Sequence, residues 1–242
     1  MSIGYGYGGL YGPLRMYWDP TYVLILIGIV LSMLASAKVK STFAKYSTVR
    51  SVRGLTGAEV AARILQYAGI QDVVVTRVSG HLTDHYDPRS GTVALSESVY
   101  GSTSVAAIAV AAHECGHVIQ HENQYAPLTI RTFLVPVANF GSGASWFVIL
   151  AGFIFSIHPL ISFGIALFSL AVLFQIVTLP VEWNASSRAL TVLWETGILD
   201  TSEGEQAKKV LQAAALTYVA AAAASILQLL RLVILFGRNN RD

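Results

Sequence analysis

Charge is scarce in this 242-residue chain: Asp, Glu, Lys and Arg make up only 12% of it, against 54% hydrophobic residues. A soluble protein of this size would be left with excess apolar surface at that balance, so the composition points to a membrane. A single cysteine, Cys115, excludes an intramolecular disulfide framework. The net charge of +2 is small and dispersed, and no basic run is interleaved with aromatics, which sets nucleic acid aside as a partner. No internal repeat is visible, which excludes a solenoid or repeat array. Length allows one compact unit plus membrane segments.

The apolar residues that replace charge are gathered into long runs. Residues 1–20 form a flexible Gly/Tyr-rich lead, and residues 21–40 an N-terminal anchor whose apolar stretch, 22–37, is close to the lower limit for crossing a bilayer. Lys38, Lys40, Lys45, Arg50 and Arg53 follow that run instead of preceding it. This is the reverse of a cleavable signal peptide and places the C-terminal side of the anchor in the cytoplasm. Two further stretches, 133–157 and 160–179, contain no Asp, Glu, Lys or Arg and read as a hairpin spanning 131–180. The hairpin would return its second end to the side from which it set out. A last apolar segment, 210–242, has cations at both ends, so its charge does not fix whether it spans or packs against the rest.

Between the anchor and the hairpin, residues 41–130 have the pattern of a small α/β unit. Thr56 and Glu59 have the spacing of a capping box, and Gly69 stands where that helix should stop. QDVVVTRVSG and GTVALS read as strands, separated by the turn-rich HLTDHYDPRSG. Ser102 or Ser104 can cap a helix over residues 105–121, whose first half is apolar nearly all round, as in a domain core.

That helix carries His113-Glu114-Cys115-Gly116-His117. Two histidines at i and i+4 share a helix face and can reach one zinc ion, with Glu114 beside it as general base for amide hydrolysis. Core histidines are the competing reading, but two of them flanking a buried acid would be costly without a metal. Cys115 projects off the ligand face and reads as a small packed side chain.

A catalytic zinc needs a third protein ligand. His121 would lie about 12 Å along the axis from His113, too far to share an ion with it, and Glu122 is off the face. Glu182, in region 181–209, is the best remaining candidate. Pro180 suits the first turn of a new helix there.

These residues resemble the YugP-type neutral zinc metallopeptidases of bacterial membranes, a group related to the gluzincins that includes the CAAX-prenyl endopeptidases. The resemblance covers nearly the whole chain outside the Gly/Tyr-rich lead. It rests on GLTGAEVAARIL, LTDHYDPRSGTVALSESVY, SVAAIAVAAHECGHVIQH and LPVEWNASSRAL, together with the anchor. It implies His113, His117 and Glu182 as zinc ligands and Glu114 as catalytic base. Related gluzincins carry an aspartate four residues after the third ligand, where this chain has Ser186. Substrate in such peptidases lies as an added strand beside a sheet edge, for which GTVALS is the candidate here. Asp84, His85 and Asp87 could line the cleft or hold a second cation, although a capped turn around Pro88 is the plainer reading. Arg188 and Tyr86 are candidates for steadying the oxyanion, with a structural ion pair as the plainer role for Arg188.

The expected architecture is therefore a mainly α membrane protein with three to four transmembrane helices and a small α+β zinc-peptidase domain of gluzincin type. The expected function is a zinc-dependent endopeptidase acting on proteins or peptides at the cytoplasmic face of the bacterial inner membrane, embedded in the lipid bilayer. A catalytically silent zinc-binding membrane scaffold is the alternative. A transporter is disfavoured because the proposed hairpin carries no interior charge.

Overall fold

The computed structural model describes residues 19–237, so most of the Gly/Tyr-rich lead lies outside the described residues. Among the described residues four helices are long and apolar enough to cross a membrane: α1 (Tyr22–Ser47), α5 (Ala126–Ile154), α6 (His158–Glu195) and α7 (Thr201–Gly237). The remaining elements are α2 (Gly57–Tyr67), β1 (Val74–Val78), β2 (His85–Asp87), β3 (Thr92–Ser96), α3 (Glu97–Tyr100) and α4 (Val105–Glu122). This is the mainly helical membrane protein with a small α+β unit that the sequence leads one to expect.

Local chemistry sets the element ends. Thr56 and Glu59 form both halves of the capping box on α2, and the chain turns out of that helix through Gly69 at φ +74°. Of the two serines, Ser104 caps α4 by accepting from the Ala107 amide at 3.2 Å. A reciprocal pair does the same for α7. Glu203 accepts from the Asp200 amide at 3.0 Å while Asp200 accepts from the Glu203 amide at 2.8 Å, and Glu203 also accepts from Val52 N at 2.7 Å. The start of α7 is thereby tied to the chain leaving α1.

The sheet corrects one expectation. GTVALS is the middle strand: β3 pairs in parallel with β1 and antiparallel with β2, giving the order β1-β3-β2. The turn-rich segment before it is long enough to lay down β2, with Tyr86 opposite Val93. An added strand beside β3 is therefore excluded, and the edge nearest α4 is β2. Asp87 builds the expected turn at Pro88, accepting from Arg89 N at 2.9 Å and Ser90 Oγ at 2.8 Å.

The expectation of a fresh helix at Pro180 does not hold either. α6 runs through Pro180, losing one backbone hydrogen bond there, because the apolar contacts on either side keep it helical. At 38 residues it measures about 57 Å, roughly twice the hydrocarbon thickness, so it must leave the bilayer before it ends. The emergent part is visible in the packing. Ala189, Val192 and Leu193 of α6 and Ala207, Val210 and Leu211 of α7 join Ile64, Leu95, Ile108 and Val118 in one core, while Ile149, Ile161, Phe168, Val172 and Leu232 form another. α7 is antiparallel to α1: Arg231 lies 3.7 Å from Asp19 at one end, and Gly28 meets Ala224 further along. Lys38 and Lys45 share a cavity with Lys209 at the other end.

Candidate metal centre

The centre is made where α4 crosses the emergent part of α6. Gly116 permits the crossing, because a Cβ on it would sit 2.3 Å from the Ala185 carbonyl oxygen. One residue on from Gly116 is His117, and one turn before Ala185's neighbour Ser186 is Glu182. The ligand-type atoms of His113, His117 and Glu182 all lie within 4.8 Å of one another. His121 is outside the group, its ring beside Tyr86 and Glu122. Among the described residues no other cluster of this kind occurs, and Asp84, His85 and Asp87 do not form one.

The donor set fits a zinc ion on three counts. First, Glu182 Oε2 is 3.3 Å from His113 Nε2 and 3.5 Å from His117 Nε2. Two bonds of zinc length at a tetrahedral angle hold their ligand atoms about 3.3 Å apart. Second, Glu182 is 2% exposed and its Oε2 has no hydrogen-bond partner among the described residues, a costly state for a carboxylate unless a cation answers it.

Third, the outer nitrogens are already engaged. His117 Nδ1 lies 3.0 Å from Gln120 Oε1 and His113 Nδ1 lies 3.1 Å from Ser186 Oγ. Gln120 has no freedom to turn its amide over, since its Nε2 donates to Val181 O at 2.8 Å and to Asn184 Oδ1 at 2.9 Å. Nδ1 of His117 must therefore carry the proton, leaving the Nε2 lone pair aimed at Glu182. Ser186 thus stands beside His113, where the resemblance alone would lead one to expect a carboxylate.

Burial disfavours the charged form of the His117 ring, but the carboxylates of Glu182 and Glu114 outweigh it and hold its pKa above the ordinary value. A proton and a cation would thus compete for the same nitrogen. Cys115 takes no part: it is fully buried, and burial pushes its thiol pKa up, keeping it protonated.

A cleft of about 340 Å³ opens on this group, lined by His113, Glu114, His117, His121, Arg131 and Tyr218 among others. Glu114 is 8% exposed at its floor. Asp84, His85 and Tyr86 line the wall on the β2 side. Asp84 is held by Ser96, whose amide donates at 2.7 Å and whose hydroxyl donates at 2.9 Å. Arg188 is absent from the lining. It donates to Asn184 Oδ1 at 2.8 Å and lies over the Tyr125 ring, a structural role without an acid partner among the described residues.

Three residues beyond those expected from the sequence stand at the group: Gln120, Arg131 and Tyr218. Gln120 was legible, being three positions beyond His117 on the same face. Arg131, 3.8 Å from Glu182 Oε1, was visible only as a charge flanking the hairpin. Tyr218 lies in an Ala-rich stretch of α7 that carries no signal of a site.

Comparison with known proteins agrees with this geometry. The family described as "Putative neutral zinc metallopeptidase" matches residues 21–237. The "Putative membrane protease YugP" of Bacillus subtilis (strain 168) is 50% identical over 219 residues, covering 90% of this chain and 97% of the relative. No solved structure matches the chain. With four apolar helices of spanning length, a His-His-Glu group able to hold a metal and a family match over nearly its whole length, the chain belongs to this family of neutral zinc metallopeptidases.

Proposed function

We propose that the protein is a membrane-embedded zinc endopeptidase in which His113, His117 and Glu182 hold the ion and Glu114 is the general base. The observation that carries this reading is the convergence of two imidazole nitrogens on a buried carboxylate oxygen that has no hydrogen bond among the described residues, beside a second carboxylate that is not part of the group. Zinc held there would supply Lewis acidity toward a peptide carbonyl.

The chain's own residues account for the rest. Glu114 takes a proton from the attacking water and delivers it to the leaving amine. An extended peptide adds to the free edge of β2, which runs along the cleft, so main-chain pairing orients the scissile bond. Arg131 and Tyr218 face the same space and are the groups available to steady negative charge on the carbonyl oxygen. The domain scheme that fits this reading is an anchor, a zinc domain, a hairpin, a third-ligand region and an apolar, membrane-associated C-terminal helix. Lys38, Lys40, Lys45, Lys208 and Lys209 all lie on the zinc-domain side of the spans, which favours the cytoplasmic face of the cell membrane.

A silent scaffold would have the same three ligands but no use for Glu114. Casein cleavage by the zinc-loaded wild type, falling about 10²–10⁴-fold in Glu114→Gln at unchanged zinc content, supports the enzyme. Equal rates in the two proteins would sink it.

A further inference from the structure

The cleft is not the only space that reaches the metal group. A second cavity of about 260 Å³ adjoins it, and the two share Asp84, His113, Glu114 and Tyr218 as common lining. Their walls differ in character. On the cleft side stand His117, His121, Arg89 and Arg131, whereas the second cavity is lined by Phe43 of α1, Val110 of α4, Leu211 and Ala214 of α7, and Leu82.

Few polar groups inside it are free to receive a charged or hydrogen-bonding side chain. Both carboxylate oxygens of Asp84 are engaged by Ser96, and the Thr217 hydroxyl donates to the Ala214 carbonyl at 2.7 Å. The size suits an apolar group, since a cavity of about 150 Å³ with such a lining already admits benzene. Leu82 adds a separate observation. It sits at φ +56°, a left-handed conformation that a non-glycine residue adopts at a cost, and such residues gather at ligand clamps.

We propose that this cavity is the specificity pocket of the enzyme, receiving a large aliphatic or aromatic side chain from a residue next to the scissile bond. The substrate class is then a polypeptide with Leu, Met or Phe at one fixed position adjoining the cut. The inference rests on the peptidase reading, and it gives α1 and α7 a role beyond anchoring: the last turns of α1 and the first half of α7 build the pocket.

The test uses the full chain, zinc-loaded, in detergent or nanodiscs. A complex peptide mixture is digested and the cut sites are read by mass spectrometry. Peptides differing only in Phe, Leu, Ala or Glu at the preferred position are then compared. Apolar residues should dominate one adjoining position, and Phe→Ala in the peptide should lower kcat/KM by at least about ten-fold, since even one methylene in such a pocket is worth that much. Ala214→Phe, which fills the cavity, should cut the Phe-to-Ala preference by about ten-fold at unchanged zinc content.

A binding readout covers the case in which that variant fails to fold. In Glu114→Gln, an added Ala214→Cys thiol should be alkylated more slowly in the presence of the Phe peptide than of the Glu peptide. Cut sites with no apolar enrichment at either adjoining position, or equal protection by the two peptides, would overturn the pocket. No cleavage of any peptide by the zinc-loaded wild type would instead overturn the peptidase reading, and the pocket's assignment with it.

Discussion

The two ends of α6 live in different solvents. Near its start, around Phe163 and Leu173, bulky side chains stand exposed on the protein surface, where only lipid tolerates them. Near its end, Val181, Ala185, Ala189 and Leu193 are buried almost completely against the zinc domain. α7 repeats the contrast in reverse order, buried at Ala207 and Leu211 and exposed at Val219, Ile226 and Val233. The bundle is held by lipid and by contacts between its helices, whereas the zinc domain has a close-packed core that the ends of α6 and α7 complete. Glu182 lies where one regime gives way to the other. Its carboxylate is therefore placed by a helix fixed at both ends, and this explains how a residue remote in sequence can be held beside His113 and His117 of α4.

The largest effect is expected at the seam itself. Gly116→Ala forces α4 and α6 apart at the Ala185 carbonyl. Because a misplacement of about 1 Å can cost about 100-fold in rate, turnover should fall by roughly that factor while membrane insertion is unchanged. Steady-state kinetics together with membrane fractionation check this; full activity would mean that the two regions are not so tightly engaged.

Next comes the zinc-domain side of the seam. Gln120→Ala removes the partner of His117 Nδ1 and should weaken zinc binding about 10–100-fold, measured by chelator competition. Phe147→Ala, on the exposed face of α5, should leave zinc affinity unchanged. Equal losses would erase the distinction between the regions. A smaller effect is expected far from the seam, where Thr56→Ala removes the α2 cap and should cost about 1 kcal/mol, read as a lower denaturation midpoint for the zinc domain. Smallest of all, Cys115 should resist maleimide at neutral pH while the chain is folded, because burial keeps its thiol protonated. Rapid labelling would show the core to be looser than its packing implies.

What could be read in the sequence follows the same divide. The α4 half of the site was legible because its chemistry is local: His113, Glu114 and His117 are fixed by helical spacing alone, as were the Thr56 cap and the apolar spans. Glu182 could be named only by eliminating rivals and by resemblance, since nothing within its own segment shows which helix it meets. The role of β2 was missed because its three residues lie in a turn-rich segment and pair only through β3, which moved the open edge of the sheet. Pro180 misled for a related reason: proline favours a helix start, and the packing that carries α6 past it is tertiary. Tyr218 and Arg131 reach the cleft from helices whose sequences are dominated by the needs of the bilayer.

In the proposed site one zinc ion is shared between the two regions through Glu182. Zinc content of the purified wild type, His117→Ala and Glu182→Ala measures this directly. The structure predicts about one zinc per wild-type chain and loss of it in both variants. Retention of zinc by Glu182→Ala, or its absence from the wild type, would contradict it.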